Sequence, residues 1–585
     1  MPFPPSPKTW RTNTWFCGII LVAAVVQFGL PPLSRQLLNY DDGLYVAPLH
    51  HLSFNDYWTT WLPRKDHYAF PLRDLSYALD FALSDGCGLN TFWLTNFLFF
   101  ALTLLVFRRV LRLVLPNQDR HQLFLLAAVA LHPLQVEVVQ WTFMRKYTLV
   151  ALLIAHGTAV ALQVGQTDPE RVRSRSYVEV LVCYIGSLLC WPAGVLWIFW
   201  AAFEMRKALR AAPIKAAAFG AATMATLGAY LWFIVSRSSD YTLGATRVAT
   251  PSAWGRALYF GWRGVGRLFY NFLIPIRLAV QYNERSPLNA IGLALLALCF
   301  LAFLVSFARD WRSRPSHAAA VLSLLALTAS LLIPELFAIA THVNFVVADH
   351  YWHLPLPYLL MASALWLAPF LTSLAPSMLS VAGGAVLFAY SMLSLQGSRY
   401  WVDDYSLLTR CAETEGAAQC RALAIERAFD RGGCALAGDA IQLARDFRLR
   451  EPPRYWSQLS IDLPLFESLC ASNFQGTLDE KIRNLEEIKS MYAPAPALLY
   501  GEVSFYLDLG LVEKAYTVAT RTYLNPEYAL DGVSRELVNM LRRQTRKLCT
   551  KVSPELANPC RARAAVFERR LDAFPVEFGR GAWAN

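Results

Sequence analysis

Long apolar runs separated by short, arginine-bearing polar stretches fill the first two thirds of the chain. They recur at about residues 16–33, 92–107, 123–134, 147–164, 178–190, 193–203, 216–235, 290–307, 318–333, 354–371 and 378–395. A bilayer-crossing helix needs roughly 20 apolar residues, and shorter ones are tolerated where neighbouring helices cover them. The pattern predicts an all-α, polytopic membrane protein. Beyond about residue 396 the long runs stop and a polar, helix-patterned tail begins. The expected division is a membrane domain over 1–396 and a helical domain over 397–585.

Basic residues decide how the runs are counted. Clusters occur at Arg108-Arg109-Arg112, Arg171-Arg173-Arg175, Arg206-Lys207-Arg210-Lys215 and Arg309-Arg312-Arg314. The positive-inside tendency puts all four on the cytoplasmic side, so an even number of crossings separates each neighbouring pair. The short run 123–134 then spans, and the break at Trp191-Pro192 is a tight hairpin between two short helices. The count is about 11 spans, with the C-terminus outside. Lys8 and Arg11 precede the first run without a small-x-small cleavage signal, predicting a retained signal anchor with its N-terminus inside. Four pieces reach the outer side: a loop of about 34–90, a stretch around 132–146, a loop of about 236–288, and the tail from about 397.

Composition agrees with this organisation. The 585 residues are 55% hydrophobic and 17% charged, with mean hydropathy +0.32, too apolar for a soluble protein of ordinary composition. The net charge of +11 resides largely in short loops, where arginine orients a membrane protein, so no nucleic-acid partner is implied. In the tail, residues 499–526 carry Tyr506, Gly510, Ala515 and Pro526 in tetratricopeptide-like spacing. With helical patterning at 443–449 and 482–491, they predict a short α-solenoid. Six of the 11 cysteines lie there (Cys411, Cys420, Cys434, Cys470, Cys549, Cys560), an even number that suggests disulfides in an oxidising compartment.

Three outer stretches could carry chemistry. Asp41 and Asp42 follow the first run, where a half-desolvated carboxylate is a stronger base than one in open water; Asp-Asp-Gly is equally an ordinary turn. Later in that loop, Pro71 opens an amphipathic helix bearing Arg73. Either Arg73 snorkels to lipid head groups or the helix walls a cavity above the bilayer. In the second stretch, His132-Pro133 opens a helix in which Glu137, Trp141 and Arg145 recur every four residues and share a face. Glu137 either pairs with Arg145 or Lys146, or leaves those two cations to a phosphate, for which a guanidinium fork is well shaped. The third stretch holds His342, Asp349, His350, Tyr351 and His353. It has no zinc-type ligand spacing, so a substrate-facing rim is expected rather than a metal site, and no cofactor is implied.

Taken in order, these stretches resemble the transmembrane and tetratricopeptide-repeat O-mannosyltransferases and their bacterial relatives, and more distantly other lipid-linked sugar transferases of the GT-C fold. The resemblance covers about residues 15–400. It rests on Asp41-Asp42, Pro71-Leu72-Arg73, His132-Pro133, Glu137, Trp141, Arg145-Lys146, Ala348-Asp349, Tyr351 and Leu354-Pro355, with Pro275, Leu278 and Tyr282 also fitting. Phe70, Tyr147, Trp191 and His350 stand where the family has arginine, aspartate, lysine and arginine. The resemblance implies an inverting, membrane-embedded glycosyltransferase moving a monosaccharide from a polyprenyl-phosphate donor to a protein or cell-surface glycan. The acceptor would lie on the periplasmic side of a bacterial inner membrane. By the same resemblance, one of Asp41 and Asp42 is the base. Arg145, with Lys146 or His350, stabilises the departing lipid phosphate, Glu137 and His132 orient these groups, and Arg73, Asp349 and Tyr351 line the donor site. A membrane-anchored repeat protein that only scaffolds a surface assembly is the competing expectation.

Overall fold

The structure is a computed structural model. It describes residues 7–28, 42, 46, 49–50, 53–62, 70–87, 91–237, 251–276, 278–279, 282, 286–341, 348–371, 375–414, 418–432 and 434–450, with a few single positions beyond. These residues are helical, with turns and no strand among them.

The helices run in chain order as α1 (Pro7–Phe28), α2 (Pro71–Cys87), α3 (Phe92–Val114), α4 (Asp119–Leu131), α5 (Val136–Gln140), α6 (Arg145–Gln166), α7 (Ser174–Cys190), α8 (Trp197–Glu204), α9 (Arg206–Ala211), α10 (Pro213–Arg237), α11 (Pro251–Leu273), α12 (Pro287–Ser313), α13 (Pro315–Thr341), α14 (Leu356–Leu371), α15 (Pro376–Ser398) and α16 (Asp404–Glu413). They belong to one compact unit, Met1–Ala417. The expected boundary at residue 396 falls inside α15.

Among the described residues, five helical segments are long and apolar enough to cross a membrane: Thr142–Gln166, Pro213–Phe233, Pro287–Ser313, Pro315–Leu336 and Pro376–Val402. A sixth appears if Asp119–Leu131 and Pro133–Gln140, bent by 51°, count as one span. Several expose apolar side chains that water would penalise. On α12, Leu298, Leu301 and Val305 are each at least 60% exposed, as lipid-facing positions are. This is a membrane protein.

Helix α2 inverts the ordinary amphipathic rule. Its leucines 75, 79 and 83 point outward, while Arg73, Asp74, Tyr77 and Asp80 are fully buried. Arg73 therefore does not snorkel to head groups, and α2 turns its charged face toward the helices behind it. The break at Trp191 is local: α7 stops at Cys190, Trp191 is extended (φ −172°, ψ 145°), and Pro192 starts a 3-10 turn before α8.

The second unit, Ala418–Asn585, contains α17 (Ala418–Gly432) and α18 (Cys434–Arg450), which pack against each other. The tetratricopeptide-like stretch at 499–526 and the helix at 482–491 lie outside the described residues, apart from Arg483, Lys514 and Thr517. Cys411, Cys420 and Cys470 are disulfide-bonded, whereas Cys17, Cys183, Cys190 and Cys299 are free.

Candidate functional site

The site is built on the stretch from His132 to Lys146. His132 is extended, and its Nδ1 accepts the Leu134 N–H at 3.2 Å, so it caps the turn that Pro133 opens. After α5 the backbone extends again at Trp141 (φ −90°, ψ 117°), passes through a 3-10 turn at Thr142–Met144, and enters α6 at Arg145. The continuous helix expected from the spacing of Glu137, Trp141 and Arg145 is thus broken, and they do not share one helical face.

Breaking a helix inside a packed body orphans peptide groups, which must find partners elsewhere. Here they are met from other segments. Trp93 Nε1 donates to the Gln140 carbonyl at 2.7 Å, and Asn96 Nδ2 donates to the Trp141 carbonyl at 3.1 Å. The Tyr77 hydroxyl donates to the Thr142 carbonyl at 2.9 Å. The Phe143 N–H donates to Asp42 Oδ1 at 2.8 Å. Asp42 is buried and binds the stretch between α5 and α6; Asp41 lies outside the described residues.

Arg73 and Arg145 each lie in a buried ion pair. Arg73 pairs with Asp74 at 2.7 Å. Asp74 also accepts the Phe70 N–H and the Tyr57 hydroxyl, each at 3.1 Å. Burial raises the Asp74 carboxyl above its ordinary pKa, opposed by the Arg73 guanidinium. Arg145 is ion-paired with Asp80 and donates to Asn96 Oδ1 (2.7 Å), the Ser76 carbonyl (3.1 Å) and the Phe92 carbonyl (2.8 Å). Its guanidinium clamps α2 and α3 to the start of α6. Lys146 is held differently: its ammonium stands 3.9 Å from the centroids of both Phe143 and Trp191, an arrangement favourable for a desolvated cation. Its charge also acts on the Glu137 and Glu335 carboxylates.

The stretch carrying His350 meets the one carrying Glu137 through a 3-10 turn, Asp349–Trp352. His350 Nδ1 lies 2.6 Å from Glu137 Oε1, so Glu137 is given to His350 rather than to Arg145. Burial, with Lys146 nearby, holds the His350 imidazole below its usual pKa. Asp349 accepts from Asn271 Nδ2 at 2.8 Å and from the Tyr282 hydroxyl. Burial, reinforced by the Glu137 carboxylate, raises Asp349 to about 7. The Tyr351 ring packs against His350 at 4.3 Å. His353 turns away from this group to meet Gln135, and burial lowers it to about 3.

Asp42, Arg73 and Lys146 therefore converge on one residue, Phe143: one through its N–H, the others over its ring, Arg73 at 5.6 Å. Phe70, Trp191, Tyr147 and His350 are also contiguous. Phe70 packs on Trp191 (5.2 Å), Trp191 on Tyr147 (6.1 Å), and Tyr147 on His350 (5.2 Å). Sequence reasoning missed Asp80, Asn96, Asn271 and Glu335. Glu335 had a legible signal, being the only carboxylate in the α13 sequence. Among the described residues no group of three or more His, Cys, Asp or Glu side chains could hold a metal ion. The assembled parts are a buried carboxylate, a caged ammonium and a histidine–carboxylate pair beside apolar helices, suited to proton removal and anion stabilisation in a dry site. No family model, curated protein or solved structure matches this chain.

Proposed function

We propose that this chain is an integral-membrane, GT-C-type glycosyltransferase. It moves a monosaccharide from a polyprenyl-phosphate donor to a protein or cell-surface glycan acceptor on the periplasmic face of a bacterial inner membrane. The observation that carries the reading is the meeting of Asp42, Arg73 and Lys146 at Phe143, from three separate parts of the sequence. In the proposed step, Asp41 or Asp42 takes the proton of an acceptor hydroxyl, and that oxygen bonds to the anomeric carbon. The carbon–oxygen bond to the lipid phosphate breaks, and its electron pair leaves on the phosphate. Lys146 stabilises this charge, while the Glu137–His350 pair fixes the wall beside it. Arg145 is assigned to framing the site, because its guanidinium is spent on Asp80, Asn96 and two carbonyls.

The topology that goes with this reading has 11 spans, a cytoplasmic N-terminus and a periplasmic, tetratricopeptide-like tail that presents the acceptor. The test is transfer by the full-length protein in lipid nanodiscs, from polyprenyl-phosphate sugars to exported proteins and glycans of a deletion strain. Transfer lost in Asp41→Asn or Asp42→Asn, in a protein that still folds, supports the reading; full activity in both sinks it. A non-catalytic surface scaffold is the second reading. It is favoured by the neutralisation of Arg73 and Arg145 by Asp74 and Asp80, and predicts no transfer from any such donor.

A further inference from the structure

A carboxylate inside an apolar helix is costly and is retained where it has work to do. Glu335 is buried near the C-terminal end of α13. Its Oε2 accepts the Tyr147 hydroxyl at 3.0 Å, and its Oε1 accepts Trp191 Nε1 at 3.2 Å. Those two rings flank Lys146: the Trp191 indole lies 3.9 Å from the ammonium and the Tyr147 ring 5.6 Å. Tyr147 then reaches the His350 ring of the Glu137–His350 pair. One carboxylate thus holds two neighbouring rings, which come from segments 44 residues apart in sequence (191 − 147).

We infer that Glu335 is a positioning residue, holding the Trp191 and Tyr147 rings so that the Lys146 ammonium points in one fixed direction. For what Lys146 does, the inference rests on the transferase reading, in which that ammonium meets the lipid phosphate. Glutamine could keep both bonds, its amide oxygen accepting the indole N–H and its Nε2–H donating to the phenol oxygen, whereas leucine offers neither ring a partner. With the polar group gone, the indole and the phenol are released, and the lysine chain, with four rotatable bonds, gains alternatives to the productive direction. A leucine would fill the same place in an apolar helix without desolvation cost, so packing alone does not account for a carboxylate here.

The experiment is binding of undecaprenyl monophosphate to full-length protein in nanodiscs, read by native mass spectrometry, with the unfolding midpoint of each variant as a check on folding. Lys146→Ala is expected to weaken binding about tenfold, and Glu335→Leu about fivefold. Glu335→Leu made in the Lys146→Ala background is expected to add nothing, because a residue acting through Lys146 has no effect once Lys146 is gone. A merely structural Glu335 gives the same loss in both backgrounds, which overturns the inference. So does wild-type binding by Glu335→Leu while Lys146→Ala is impaired, an outcome that leaves the phosphate role of Lys146 standing. Wild-type binding by Lys146→Ala instead sinks that role. If Glu335→Leu does not fold, Tyr147→Phe and Trp191→Phe each remove one hydrogen bond and keep an aromatic ring. A loss of about threefold in each is expected, and wild-type binding in both overturns the inference.

Discussion

Asp42 Oδ1 accepts the Phe143 N–H at 2.8 Å, tying two stretches about a hundred residues apart in sequence. This one bond joins the proposed base to the backbone that displays Lys146. Asparagine can still accept the N–H through its amide oxygen, whereas alanine leaves it orphaned in a buried position. Asp42→Asn should therefore keep its unfolding midpoint within a few degrees of wild type. Asp42→Ala should lose roughly 1.5–3 kcal/mol, the usual worth of a hydrogen bond to a charged group. Thermal unfolding in detergent separates the two, and equal midpoints would show that the bond stabilises nothing.

Arg145 and Asp80 are a fully buried pair. Removing one member strands the other, so Arg145→Ala should destabilise by about 3–5 kcal/mol. The double variant Arg145→Ala/Asp80→Ala should recover part of that loss. A double variant no better than the sum of the singles rejects the pairing as the source of the cost.

Asp349 gives the fold a pH dependence of defined sign. Its carboxyl is raised by burial first, and then by Glu137, to about 7 from an ordinary value of 3.8. Between those values the folded state binds the proton more readily than the unfolded chain. This contribution is complete below about pH 4 and is lost as pH rises through about 7. Urea or thermal unfolding should show lower stability at pH 8 than at pH 5.5, and Asp349→Asn should flatten that difference. An unchanged profile in Asp349→Asn removes it as the source.

Helices α11 and α12 touch at two glycines. A Cβ placed on Gly292 would lie 1.8 Å from the Gly266 carbonyl oxygen, too close for any rotamer change to relieve. Gly292→Ala should force the backbones apart and cost about 1–3 kcal/mol, the range for overpacking. Gly228→Ala, which meets nothing within 4 Å, is the control and should leave the unfolding midpoint unchanged.

The membrane helices were legible in outline, from the alternation of apolar runs and basic loops. The structure packs the stretches carrying Asp42, Lys146 and His350 against one another. What misled was spacing. The four-residue interval linking Glu137, Trp141 and Arg145 reads as one helical face, but the peptide groups at 140–143 find better partners in Trp93, Asn96, Tyr77 and Asp42. Glu335 lies two residues beyond the apolar run that ends at residue 333, so the run itself gives it no place inside the helix that the structure extends to Thr341.

The sequence by itself determined the helices, the apolar faces that need lipid, and the concentration of ionisable groups in a few stretches between the apolar runs, because these follow from periodicity and burial cost within short windows. Only the tertiary structure decided which charge answers which. Arg145, whose guanidinium suits a phosphate when read alone, is given to Asp80, and Glu137 is given to His350. Lys146 lies against the rings of Phe143 and Trp191. Those partners come from remote segments. In a buried, low-dielectric interior, a neighbour a few ångströms away outweighs anything the local pattern specifies.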